Sequence, residues 1–186
     1  MGLLIAGVLT WALVHFIPSL ARPLRGSMIE KLGENGYKAV FTLLMLAGLA
    51  MIILGWRSTT PAFLYQLPYF TRHIGMLLVL IGFILFGASN YPTRIKRVIR
   101  HPQLTGVIVW AIAHLVMNGD SRSVVLFGGL GLWALLEIIL INRRGDEWVR
   151  PEAPAWSREI RGLVISLVIF GVFVFLHPYI AGIPIR

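Results

Sequence analysis

An all-α polytopic membrane protein, a bundle of six transmembrane helices forming a single domain over residues 1–186, is the fold class that this sequence predicts. Three observations predict it. Of the 186 residues, 57% are hydrophobic and only 13% charged, whereas about a quarter are charged in soluble domains. Mean hydropathy is +0.78. Finally, apolar stretches approaching the ~20 residues that cross a bilayer alternate along the whole chain with short basic links, leaving no room for a separate soluble domain.

The first stretch, Gly2–Leu20, lacks the basic start and small-residue cleavage site of a signal peptide, so it reads as a span. The link "ARPLRGSMIEKLGENGYK" places Leu24, Met28, Ile29 and Leu32 at helical spacing among charges and ends at Gly33 and Gly36. It predicts a short helix lying in the interface. The second and third spans are Tyr37–Trp56 and Arg72–Asn90. The fourth, Gln103–Asn118, is the shortest and follows His101-Pro102, a helix start with proline at the first helical position. The fifth is Ser123–Ile141 and the sixth Ile160–Ile180. Between them, "RRGDEWVRPEAPAWSREIR" mixes charge, proline and tryptophan as a link at headgroup depth does. No internal repeat and no low-complexity run is expected.

The charges predict an orientation. The links after spans one, three and five hold 13 of the 17 Lys and Arg residues; the other four are Arg57, Arg72, Arg122 and Arg186. Basic links stay in the cytoplasm, which puts both termini on the periplasmic side. The net charge of +9 is then a matter of orientation and anionic lipid headgroups. The bilayer is the expected partner, and nucleic acid is not. The absence of cysteine excludes disulfides, iron–sulfur clusters and thiolate ligation.

Ionisable groups within spans are costly and default to functional candidates. The spans contain His15, His114, Glu137 and His177, with His73 and His101 at span entrances. His114 stands out because Trp110 and Asn118, at i−4 and i+4, share its helix face. His15 is followed by Pro18, which loosens a helix end, and by Arg22 on the same face one turn further on. An imidazole in the apolar zone above a guanidinium suits an amphiphilic cofactor with a carboxylate tail. A kinked helix end with a snorkelling arginine is the structural alternative. His177 before Pro178 reads as an interfacial residue at a helix stop, and Glu137 as one member of an ion pair with an arginine such as Arg143. No phosphate loop, Ser–His–acid set or pair of buried carboxylates is present.

The runs "HFIPSLARPLRGSMIEKLGENGYKAVFTLLMLAGLAMIILGW" and "RHPQLTGVIVWAIAHLVMNGDSRSVVLFGGLGLWALLE" resemble the NnrU family of bacterial membrane proteins. The resemblance covers most of the chain, and His101–Asp120 is its most specific part. It implies a place in the cytoplasmic membrane and a part in denitrification, in making active nitrite and nitric oxide reductases. The family is similar in turn to 15-cis-ζ-carotene isomerase, a membrane enzyme with haem b. That similarity implies His15 and His114 as iron ligands. The isomerase has a cysteine three residues before the second histidine; here that position is Ala111, a side chain that cannot ligate. The Arg100-His101-Pro102 start also resembles isoprenylcysteine and phospholipid methyltransferases, with Leu104 in place of their tyrosine.

Three functions are open at this point. The first is a haem b protein, redox-active or isomerase-like, with His114 and His15 as ligands and His177 in reserve. Trp110 and Asn118 would line its cofactor site, and Arg22 and Arg25 would hold the propionates. A redox partner or a small apolar substrate would complete it. The second is a membrane assembly protein without haem. The third is a lipid-modifying enzyme of the methyltransferase type.

Overall fold

The computed structural model describes residues 1–145 and 147–182. Arg186, one of the four basic residues assigned to the outer side, lies outside them. Every regular element among the described residues is helical, and an isolated bridge between Phe63 and Asp120 is the one strand-like pairing among them.

Six long helices follow in chain order. α1 is Gly2–Leu20 and α2 is Arg22–Ser58. α3 is Thr71–Ala88 and α4 is Pro102–Met117. α5 is Ser121–Arg143 and α6 is Trp156–Ala181. A 3-10 turn, Arg94–Arg97, lies between α3 and α4. Gly33, at φ 72° and ψ 168°, breaks α2, a conformation that favours glycine. The stretch before the break is the helix expected between the first two spans. It leaves Leu24 and Leu32 exposed, as a helix resting its apolar face in lipid does.

Five of the six helices are long and apolar enough to cross a membrane. The exception is α4. Its 16 residues reach about 24 Å at 1.5 Å per residue, short of a hydrocarbon core of ~30 Å. Pro102 sets its start, and at its end Asn118 leaves helical geometry (φ −132°, ψ 108°). The protein is therefore a multi-pass membrane protein, all-helical in the regular elements of its described residues, with five helices of spanning length and one shorter apolar helix.

Glycine sets the packing. Gly55 lies against Leu3 and Leu4, and a Cβ at Gly7 would meet the Ile52 nitrogen at 2.7 Å, so α1 and α2 run antiparallel in backbone contact. Gly75 meets Ala113 and Met117 while Gly82 meets Gly106, so α3 and α4 cross in the same way. α5 lies between these two pairs. It runs antiparallel to α4, through Asn142 with His101, Gly131 with Ala111 and Phe127 with His114. It runs parallel to α1, through Gly129 with Val8, Trp133 with His15 and Glu137 with Ser19. α6 packs on α3, where Phe83 meets Phe170 and Phe173. The small core of Leu4, Val8 and Ile52 sits where α1, α2 and α5 meet. Large apolar side chains cover the outer faces of the helices, a surface that requires lipid.

The segment joining α2 to α3 is tied to the end of α4. Leu64 and Tyr65 donate backbone bonds to the Gly119 carbonyl (2.8 and 3.0 Å), and the Tyr65 hydroxyl donates to the Leu115 carbonyl at 2.6 Å. Asp120 caps α5, accepting from the amides of Arg122 and Ser123 and from the Ser123 hydroxyl. Asp120→Ala should lower stability by about 1–2 kcal/mol, read as a lower Tm in detergent. An unchanged Tm would show that the cap is dispensable.

Candidate functional site

His114 lies on α4 facing α5. Its Nδ1 is 2.9 Å from the Trp110 carbonyl. A carbonyl only accepts, so Nδ1 carries the hydrogen, and in the neutral ring Nε2 keeps a lone pair. Metal-ligating histidines are commonly oriented by such a bond on the other nitrogen. The imidazole stacks on Phe127 at 4.3 Å between centroids and 24° between planes, with the Trp110 ring at 4.8 Å. Phe127 also meets Trp56, and the Arg122 guanidinium covers Trp56 at 4.4 Å. Phe127 belongs to a π-helical turn, Val124–Gly128, a local widening that is frequent at functional sites. His177 on α6 is near enough to bear electrostatically on His114. Asn118 donates its side-chain amide to the His114 carbonyl at 3.0 Å, so it closes the end of α4 beside the histidine.

His15 repeats this arrangement on α1. Its Nδ1 is 2.9 Å from the Trp11 carbonyl, and the Trp11 ring is at 4.7 Å. An aromatic side chain of α5 again completes it, here Trp133 at 4.8 Å, with Phe41 of α2 edge-on at 5.6 Å. The indole nitrogens of Trp11 and Trp133 are buried without a hydrogen-bond partner among the described residues.

The likeness is present in the sequence as well. Gly7-Val8-Leu9-Thr10-Trp11-Ala12-Leu13-Val14-His15 matches Gly106-Val107-Ile108-Val109-Trp110-Ala111-Ile112-Ala113-His114 at glycine, valine, tryptophan, alanine and histidine. This corrects the expectation of no internal repeat. Each copy crosses its partner helix at its glycine and turns its histidine toward α5. Because α1 runs parallel to α5 and α4 antiparallel, the copies point in opposite directions.

The structure does not bring His15 and His114 together. α1 contacts α5 along Gly129, Trp133 and Glu137, whereas α4 contacts it along Phe127, Gly131 and Asn142. Those stripes are two residues out of phase, so they lie on nearly opposite faces of α5. Trp133 and Phe127 are also about 9 Å apart along the axis at 1.5 Å per residue. Imidazole nitrogens bind a metal at roughly 2.0–2.1 Å, so two that shared one metal would have to come within about 4 Å of each other. His114 and His15 therefore do not come together.

The other candidates have local partners. Glu137 is buried and accepts from the Ser19 hydroxyl at 2.9 Å, and the charge of Arg144 at the end of α5 also bears on it. Arg22 and Arg25 are exposed at the start of α2, with Arg25 over the Tyr37 ring at 5.7 Å. They sit at the His15 end of α1, away from His114. His101 stands at the N-terminal boundary of α4 without a side-chain capping bond and pairs through Nε2 with the Asn142 side chain at 2.9 Å. His73 packs on Tyr69. Among the described residues no group of three or more His, Cys, Asp or Glu is placed to hold a metal ion. Iron held by a porphyrin needs only one or two side chains. Phe127, Trp56, Trp133 and Phe41 escape sequence reasoning because aromatic residues in spans are ordinary; the doubled Trp-Ala-x-x-His pattern is the signal that leads to them.

No curated protein and no solved structure gives a significant match to the chain. The family described as NnrU protein matches residues 3–185, nearly the whole chain, including both Trp-Ala-x-x-His helices and the Asn118-Gly119-Asp120 corner. The chain belongs to the NnrU family.

Proposed function

We propose that this protein binds haem b in the bacterial cytoplasmic membrane, with His114 as an iron ligand, and supports the production of active nitrite and nitric oxide reductases. One observation carries the haem reading. His114 has its Nδ1 fixed to the backbone, which leaves the lone pair of the neutral ring on Nε2, and it lies between Trp110 and Phe127 at a π-helical turn. The donors suit such a group on one side of α5. His177, whose charge bears on His114 from α6, is the candidate second ligand. His15, across α5, would need that helix displaced to share the same iron. Bound there, haem would supply a redox-active iron, while Trp110 and Phe127 would pack against the macrocycle and exclude water. Arg22 and Arg25, with their exposed guanidiniums, would serve a carboxylate tail only at the His15 end. The place in denitrification rests on family membership.

The test is an absorption spectrum of protein produced with ample haem. A Soret band at stoichiometric intensity is the expected result, and a colourless, folded protein would sink the reading. The methyltransferase alternative has less support. His101 is engaged with Asn142, and the cleft beside it, about 250 Å³, falls below the roughly 300 Å³ of small-molecule pockets.

In the same reading the membrane is crossed six times, with both termini periplasmic. The 13-to-4 division of basic residues and the packing of α4 along α5 from His101 to His114 support it. A C-terminal alkaline phosphatase fusion should be active and a C-terminal green fluorescent protein fusion dark. The opposite pattern would remove one crossing.

A further inference from the structure

Away from both histidines, α3 and α6 enclose a groove of about 630 Å³, within the 300–1,000 Å³ range of small-molecule sites. Its walls are Phe83 and Phe86 of α3 and Ile165 and Ile169 of α6. Its floor is a seam of small residues. A Cβ on Gly87 would strike the Ser166 hydroxyl, and one on Gly162 the Tyr91 hydroxyl. One end of the groove is basic, formed by Arg158 and Arg161. These residues are i and i+3 on a helix, hence neighbours on one face. Neither guanidinium has a hydrogen bond or ion pair among the described residues. The acid between them, Glu159, is engaged elsewhere, accepting from the Thr93 hydroxyl at 2.8 Å and the Arg94 amide at 2.6 Å. That clamp also fixes the start of α6 against the link after α3, so the two guanidiniums stand beside Tyr91. Burial, and then Glu159, raise the Tyr91 pKa, so at neutral pH its phenol is a hydroxyl.

We propose that this groove is a binding site for an anionic phospholipid, with the phosphate held by Arg158 and Arg161 and one acyl chain laid along Phe83, Phe86, Ile165 and Ile169. Charge complementarity selects the occupant. Two paired guanidiniums beside a hydroxyl match phosphate oxygens, and the apolar walls match an acyl chain. From Arg161 to Ile169 the groove runs about 12 Å at 1.5 Å per residue, enough for much of one chain. A zwitterionic lipid brings its own ammonium and competes for the same phosphate.

The experiment is native mass spectrometry of the detergent-purified full chain, titrated with phosphatidylglycerol, with phosphatidylethanolamine of identical acyl chains, and with glycerol phosphate. One retained phosphatidylglycerol, favoured about tenfold over phosphatidylethanolamine, is expected, since charge-assisted hydrogen bonds are worth a factor of that order. Arg158→Gln/Arg161→Gln should abolish the preference, and Lys31→Gln/Lys38→Gln, of the same net charge, should keep it. Ile165→Trp should weaken phosphatidylglycerol by filling the groove. Equal retention of the two lipids overturns the proposal, as does equal loss in the lysine control. Glycerol phosphate binding as tightly as the lipid would show an anion site without an acyl groove and overturn it as well. Should the double arginine variant fail to fold, the comparison of the two lipids on the unmodified chain still decides.

Discussion

His114→Ala should remove the Soret band, or reduce haem content at least about tenfold, since losing even an outer-shell partner of a metal ligand costs about 10–100-fold. The substitution leaves α4 intact, because alanine is the best helix former and the crossing with α3 depends on Gly82 and Gly106. Two companion variants locate the second ligand. His177→Ala should convert a low-spin spectrum to high-spin, and His15→Ala should leave it low-spin, because α5 separates His15 from His114. If His15→Ala behaves like His114→Ala while His177→Ala is silent, α5 does not stay between them. A normal low-spin spectrum in His114→Ala would end the haem reading at this residue altogether.

Gly119→Ala should be the most damaging single methyl group in the chain. A Cβ at Gly119 would run into the Tyr65 carbonyl and stand 2.6 Å from its carbon. The obstacle is backbone, and it is held by the two amide bonds that Leu64 and Tyr65 donate to Gly119. Making room means breaking the strap between α2 and α3 away from the end of α4. Forced overpacking costs about 1–3 kcal/mol, and at about 2–4 °C per kcal/mol for a chain of this size the Tm in detergent should fall by several degrees. An unchanged Tm would show that the strap moves freely.

Much of the fold is legible in the sequence, because spans and their polar ends are set by hydropathy, proline and glycine. The helix before Gly33, the start of α4 at Pro102 and the polar stop at Asn118 all follow from local chemistry. α4 shows the limit: counting apolar residues makes it a sixth span, whereas its capped ends make it shorter than the others. The candidate site is less legible. His114 and Trp110 are visible as a helix face, because i and i+4 lie together on any helix. Phe127 and Trp133 are not, because which helix stands between α1 and α4 depends on long-range packing. Glu137 shows the same gap. Sequence proximity points to an arginine near its own helix end, and Arg144 does bear on it, but the hydrogen bond comes from the Ser19 hydroxyl of α1, which only the fold reveals.

The π-helical turn Val124–Gly128 also bears on how the chain tolerates insertions and deletions. Such a turn holds one residue more than the α-helical path needs, and the helix on either side stays in phase. Deleting a residue elsewhere in α5 would rotate everything beyond it by about 100° and swing Trp133, Glu137 and Asn142 off the helices they touch. Deleting one inside the turn restores the ordinary path. The Asp120 cap and the contacts beyond residue 129 keep their registers, and only the residues beside His114 are re-aimed. The centre of the bundle thus contains one place where length can vary between homologues without dismantling the scaffold, and it lies against the imidazole.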